Sequence, residues 1–196
     1  DNAMSDFSIG TNLAASSALV IDGVAPTITN VAITSATNGQ NNFLNEGDVV
    51  SVTVTYDEAV VVDDSSADPT INLDIGGQTR AASYASGTGT TSIVFTYTIA
   101  ANETYDDSGI EIDADITLNG ATMKDAAGNN ADLTFTAVSA NSSYKVDTTT
   151  PSISSLEMAN DNSTVTVTFG ENVYSDSSLN NLAAADFALG LSGGNA

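Results

Sequence analysis

The chain has 196 residues, enough for one large domain or one to two small ones, and 41% of them are hydrophobic, which supplies a packed core. Asp and Glu number 25 against Arg80, Lys124 and Lys145, a net charge of −22 that disfavours nucleic acid and anionic membrane surfaces and attracts hard cations. Cys and His are both absent, which removes disulfides, thiolate chemistry, histidine bases and ordinary zinc sites.

Residues 1–25 carry FSI (7–9) and ALVID (18–22), which match LTF (133–135) and YKVD (144–147) further on. This opening segment reads as the last strands of a preceding module. Seven strands are predicted after it, at 27–33, 49–56, 69–75, 79–84, 91–99, 109–118 and 131–137. Val52, Val54 and Tyr56 alternate with Ser and Thr, and Ile110, Ile112, Ala114, Ile116 and Leu118 alternate with acidic residues and Thr. Such period-two alternation belongs to half-buried strands, with the Tyr side chains expected mainly in the core. Asn38-Gly39, Gly76-Gly77, Gly87-Thr88-Gly89 and Gly128-Asn129 supply the turns. Seven short strands in this span predict an all-β, immunoglobulin-like Greek-key β-sandwich occupying residues 26–147.

The same signals then begin again. LVIDGVAPTITNV (19–31) matches YKVDTTTPSISSL (144–156), placing Asp22 and Pro26 against Asp147 and Pro151. VTVTYDEAV (52–60) matches VTVTFGENV (165–173), placing Glu58 against Glu171, and INLDIGG (71–77) matches FALGLSG (187–193) more weakly. Residues 148–196 therefore read as the first part of a following module, with a hairpin turn at Asn160-Asp161-Asn162 and a short helix-like stretch at Leu182–Phe187. Two origins account for the split ends: a stretch of a longer tandem protein, or strands that complete another copy's open module.

VIDGVAP, GDVVSVTVTYDEAVVV, ASGTGTTSIVFTYTIAANE, LNGATMKDAAGNNADLTF and KVDTTTP, in this order, resemble the bacterial immunoglobulin-like repeats of giant repetitive adhesins, the RTX-type and biofilm surface proteins. The resemblance covers nearly the whole chain. It implies tandem β-sandwiches that hold an adhesive tip away from the bacterial cell surface, often rigidified by calcium. Linkers in such repeats usually read Asp-Thr-Thr-Ala-Pro, where this chain has DGVAP and DTTTP.

Strand parity places the candidate chemistry. Counting strands outward from the first linker, the loops after the second and sixth strands return to the end where Asp22 lies, bringing Asp57-Glu58 and Asp125 with them. At the opposite end Asp147 leads into the next module, Glu171 is the counterpart of Glu58, and Glu46, Asp48, Asp106 and Asp107 lie nearby. Calcium ligands are therefore expected at the module junctions: Asp22 with Glu58 and Asp125, and Asp147 with Glu171. The competing reading is an acidic surface that keeps the protein soluble. No carboxylate pair is marked for glycosidase chemistry, there is no Trp to line a sugar subsite, and no Gly-rich loop leads into a helix with Lys. The chain accordingly reads as a non-catalytic, extracellular extender whose partners are neighbouring modules of the same chain or other copies. Two rivals stand beside it: a filament subunit joined by strand exchange, and a module that binds glycan or protein through its loops.

Overall fold

Alternation of apolar and polar residues in a computed structural model of the chain, which describes residues 21–174 and 180–187, is realised as an all-β fold. β1 (Ile28–Ala36), β2 (Phe43–Leu44), β3 (Val49–Asp63), β4 (Thr70–Ile75), β5 (Gln78–Ser86) and β6 (Thr90–Thr98) come first. β7 (Glu111–Thr117), β8 (Thr122–Lys124), β9 (Lys145–Val146), β10 (Ile153–Met158) and β11 (Val165–Phe169) follow, and one 3-10 turn at Ala184–Asp186 lies in the stretch expected to be helix-like. The main sheet is antiparallel and curled, in the order β1-β3-β6-β5-β4-β7, with β8 on the far part of β3. β2 and β9 pair in parallel, which ties the start of the unit to its end.

Even-numbered residues of β3 form the spine of the core. Val50, Val52, Val54, Tyr56, Val60 and Val62 all point inward, against Ile71, Leu73, Ile93, Phe95, Ile112 and Met123. Burying each such aliphatic side chain stabilises the fold by about 1.5–3 kcal/mol, before conformational entropy is set against it. β3 does not stop at Tyr56, as its Asp57-Glu58 sequence led us to expect. It runs on to Asp63, rejoining β6 at Val60 after a register break between Thr55 and Val60 and pairing with β8 over Val61 to Asp63. The break is held from outside the strand: Thr27 donates its backbone N–H (2.7 Å) and its hydroxyl (2.6 Å) to the Asp57 carboxylate. Glu58 consequently occupies an inward-parity position inside a strand, not a loop.

Residues 131–137 depart from expectation in the other direction, forming an extended segment without a regular ladder. Asp132 explains this, because its carboxylate takes the backbone N–H and hydroxyl of Thr134 and diverts donors from pairing. Isolated bonds remain: Ile116 N–H to the Leu133 carbonyl, and a bridge between Ile112 and Val138. Asp132 N–H also reaches the Pro26 carbonyl, and the buried Tyr56 phenol donates to the Asp132 carbonyl at 3.0 Å. The segment thereby bridges the two edges of the curled sheet. In β7 the alternation also breaks, since Asp115 has φ of 75° and Ala114 is exposed rather than inward.

β10 and β11 form a separate two-stranded sheet that copies the pairing of β1 with β3. Ile28 faces Tyr56, the register shifts, and Asn30–Thr55, Val31–Val54, Ala32–Thr53 and Ile33–Val52 follow. Ile153 faces Phe169, the register shifts at the same place, and Ser155–Thr168, Leu156–Val167, Glu157–Thr166 and Met158–Val165 follow. The intervening turn at Asn160-Asp161-Asn162 closes with Ala159 N–H on the Thr164 carbonyl and Asn162 in the left-handed region (φ 56°). Residues 1–20, including the FSI segment, and most of 187–193 lie outside the described residues.

Candidate metal centre

Three stretches far apart in sequence meet at one end of the main sheet. Asp22 precedes β1 and accepts the Val24 N–H on Oδ1 at 3.0 Å. Glu58 sits half-buried at the register break of β3. Asp125 follows β8 and is 5% exposed. It opens the Asp125-Ala-Ala-Gly-Asn129 turn, which is closed by Asp125 N–H on the Asn129 carbonyl (3.0 Å) and Asn129 N–H on Asp125 Oδ1 (2.8 Å). One carboxylate oxygen from each of Asp22, Glu58 and Asp125 lies within 4.8 Å of the others.

Asn129 is the organiser that strand parity overlooked. Its Nδ2 donates to Asp125 Oδ2 at 2.7 Å and contacts the carbonyls of Val24 (3.0 Å) and Asp22 (3.2 Å). One amide thus orients the Asp125 carboxylate and docks the linker onto the turn. The Gly-Asn step that ends DAAGN, at the turn's closing bonds, is the sequence signal for that role. Asp57, adjacent to Glu58, is held by Thr27 and is not one of the three grouped carboxylates.

Electrostatics divide the three carboxylates. Burial, followed by the charges of Asp22, Asp125 and Asp57, pushes the Glu58 carboxyl above the usual glutamate range. Burial also acts to raise Asp125, but hydrogen bonds from the Asn129 side chain and from the backbone of Asn129, Gly128 and Ala127 outweigh it and hold it below the usual range. Both ion pairs among the described residues, Arg80–Glu103 and Lys145–Asp107, involve other carboxylates. No cationic side chain is therefore paired with the three.

No family model, curated protein or solved structure matches this chain. The chemistry of the donors has to carry the reading. Calcium takes six to eight oxygen ligands at about 2.4 Å, so oxygens on opposite sides of one ion stand up to about 4.8 Å apart. One oxygen from each of the three carboxylates lies within that span of the others.

The opposite end is built differently. Asp147 and Glu171 line one cavity of about 720 Å³, and Asp147 Oδ1 accepts the Thr149 N–H at 2.9 Å. Asp22, Glu58 and Asp125 form the one group of three acidic side chains within ligand distance among the described residues, so no third carboxylate joins this pair. Its expected neighbours are engaged elsewhere. Asp48 accepts the Asn45 N–H, Asp106 accepts Ser108 and Gly109, Asp107 pairs with Lys145 at 2.7 Å, and Glu46 is exposed.

A substitution separates an ion site from solvated charge. Glu58 has a raised folded-state pKa, so its contribution to stability is complete below the ordinary glutamate range and is lost as pH rises through the raised value. At neutral pH in chelator, Glu58→Gln is expected to raise the melting temperature by a few degrees. In millimolar CaCl₂ it is expected to lower it relative to wild type, because a ligand is gone. The same sign in both buffers would show that Glu58 holds no cation.

Proposed function

We propose that the chain belongs to a non-catalytic extender, a series of tandem immunoglobulin-like Greek-key modules of a secreted or cell-surface bacterial adhesin, stiffened by Ca²⁺ where a linker meets a module. The observation that carries this reading is the meeting of Asp22, from the linker, with Glu58 and Asp125, from two separate parts of the sheet unit. A cation bound there converts mutual repulsion into a cross-link between linker and module. Asn129 supports the reading, because it already fastens the linker carbonyls of Asp22 and Val24 to the turn that carries Asp125. Repetition supports the tandem part, since β10–β11 reproduces the register and the shift of β1–β3 and starts just after a second Asp-to-Pro linker, Asp147 to Pro151.

Calcium would act here through mass action. At free Ca²⁺ a hundred times Kd, one site adds about 2.7 kcal/mol, a substantial fraction of a small domain's stability. A thermal melt in EDTA, in CaCl₂ and in MgCl₂ tests this directly. The expected result is a rise of roughly 10 °C in calcium, with little or none in magnesium, which dehydrates reluctantly and demands a tighter octahedral cage. Identical melts in all three buffers would leave the carboxylates as solubilising charge and remove calcium from the proposal.

A further inference from the structure

The cavity of about 720 Å³ at the other end of the sheet unit is walled by both the main unit and the segment that follows it. Its first wall carries Phe43 and Tyr105, whose rings stack at 6.1 Å between centroids with an interplanar angle of 23°. Tyr105 is 54% exposed, so the pair is not core packing. The second wall carries Tyr174, which is 40% exposed. Two of the chain's six Tyr residues, both outside the predicted strands, thus stand out in solvent around one cleft.

The polar lining is uncommitted. Gln40, Asn41, Asn45 and Asn172 present four carboxamides, and Glu171 presents a carboxylate. Among the described residues, none of these five side chains is held by a hydrogen bond from another protein group. That contrasts with Asn129 at the opposite end, whose amide nitrogen contacts three acceptors. Lys145 places its ammonium 5.3 Å from the centre of the Phe43 ring, filling that ring's site for a cation, and it is paired with Asp107.

We infer that this cleft is a binding site for a neutral oligosaccharide. Pyranose rings present apolar C–H faces to flat aromatic rings and a rim of hydroxyls that both donate and accept hydrogen bonds. Tyr105, which is stacked on Phe43, and Tyr174 serve the faces, and free carboxamides, which also donate and accept, serve the rim. The volume lies within the usual range for small-molecule sites, about 300–1,000 Å³. No basic side chain lines the cleft, while Asp147 and Glu171 do, so sialylated and uronic-acid glycans are repelled. The inference goes beyond the extender reading and does not need calcium.

An array of neutral and acidic oligosaccharides, probed with the whole chain in EDTA and again in CaCl₂, provides the test. It is followed by titration of the strongest neutral binder, read by tyrosine fluorescence and calorimetry. A neutral oligosaccharide is expected to bind in both buffers, with acidic ones excluded. Tyr105→Ala and Tyr174→Ala, both at exposed positions and expected to melt as wild type, should each weaken binding about tenfold. Absence of any neutral binder, binding that both substitutions leave unchanged, or a preference for acidic glycans or for oligolysine would overturn the inference. Binding only in CaCl₂ would overturn its independence of the metal, and the EDTA melts of the unliganded protein would still judge the calcium proposal separately.

Discussion

Arg80→Met is expected to lower the melting temperature by roughly 10 °C or more at neutral pH, because it strands a charge inside the protein. The Glu103 side chain is 1% exposed. Arg80 Nε lies 2.8 Å from both Glu103 oxygens, and Nη2 is 2.8 Å from Oε2. The Tyr97 phenol donates to the same carboxylate, and burial together with that charge pushes the phenol up to about 12. Burial works to raise the Glu103 carboxyl, yet the bonds from Arg80 and Tyr97 win and hold it below the usual glutamate range. A depressed carboxyl contributes stability above the unfolded-state pKa and loses it as pH falls through the folded one. Without Arg80, burial dominates and the sign reverses. The variant should gain more stability than wild type on acidification from pH 7 to pH 5, since Glu58 contributes the same gain to both. Arg80→Met/Glu103→Met should recover most of the loss, since an apolar pair leaves no buried charge. Guanidine melts of wild type and the two variants at two pH values suffice, and an Arg80→Met variant as stable as wild type would refute the account.

Gly109→Ala is expected to destabilise the fold by at least about 4 kcal/mol, the size reserved for a backbone collision. Gly109 has φ of +96°, and an added Cβ would stand 2.1 Å from the Asn141 carbonyl oxygen and 2.5 Å from its carbon. That carbonyl belongs to a rigid neighbour. Asn141 N–H bonds the Ile110 carbonyl, Ile110 N–H bonds the Tyr144 carbonyl, and Tyr144 N–H returns to Asn141. Gly109 N–H is itself spent on the buried Asp106 carboxylate at 2.9 Å. Relief therefore means tearing residues 141–144 from Ile110, just before β7, and loosening the β2–β9 pairing next to it. Gly89→Ala is the control, with φ of +77° and nothing within 4 Å of the new methyl group. It should cost only the backbone strain, about 1 kcal/mol. Equal midpoints for the two variants in urea would show that the collision is not real.

Much of the candidate site was legible because strand parity is a local property. Alternation along Val50 to Tyr56 and along the later strands says which loops share an end, and that is enough to gather Asp22, Glu58 and Asp125. Parity could not say which of the adjacent acids, Asp57 or Glu58, faces the others. Thr27, thirty residues away, decides this by taking the Asp57 carboxylate. Nor could it reveal that, among the described residues, no third carboxylate joins Asp147 and Glu171, since Asp48 and Asp106 look equally free in sequence and are committed only by their backbone neighbours.

The same division runs through the fold. All-β character, the turn at Asn160-Asp161-Asn162 and the inward row of β3 follow from period-two patterning and turn chemistry, which act over a few residues and need no partner to be read. The length of β3, the irregular course of 131–137 and the exposure of Tyr105 and Tyr174 depend on what lies across the molecule. β8 pairs with Val61 to Asp63 and keeps a strand going through two carboxylates. The phenol of Tyr56 and the carbonyl of Pro26 hold an Asp132 segment that cannot form a ladder. Hydrogen-bond donors and acceptors are satisfied by whichever groups come within 3 Å, and that distance is set by the closed chain rather than by any stretch of it.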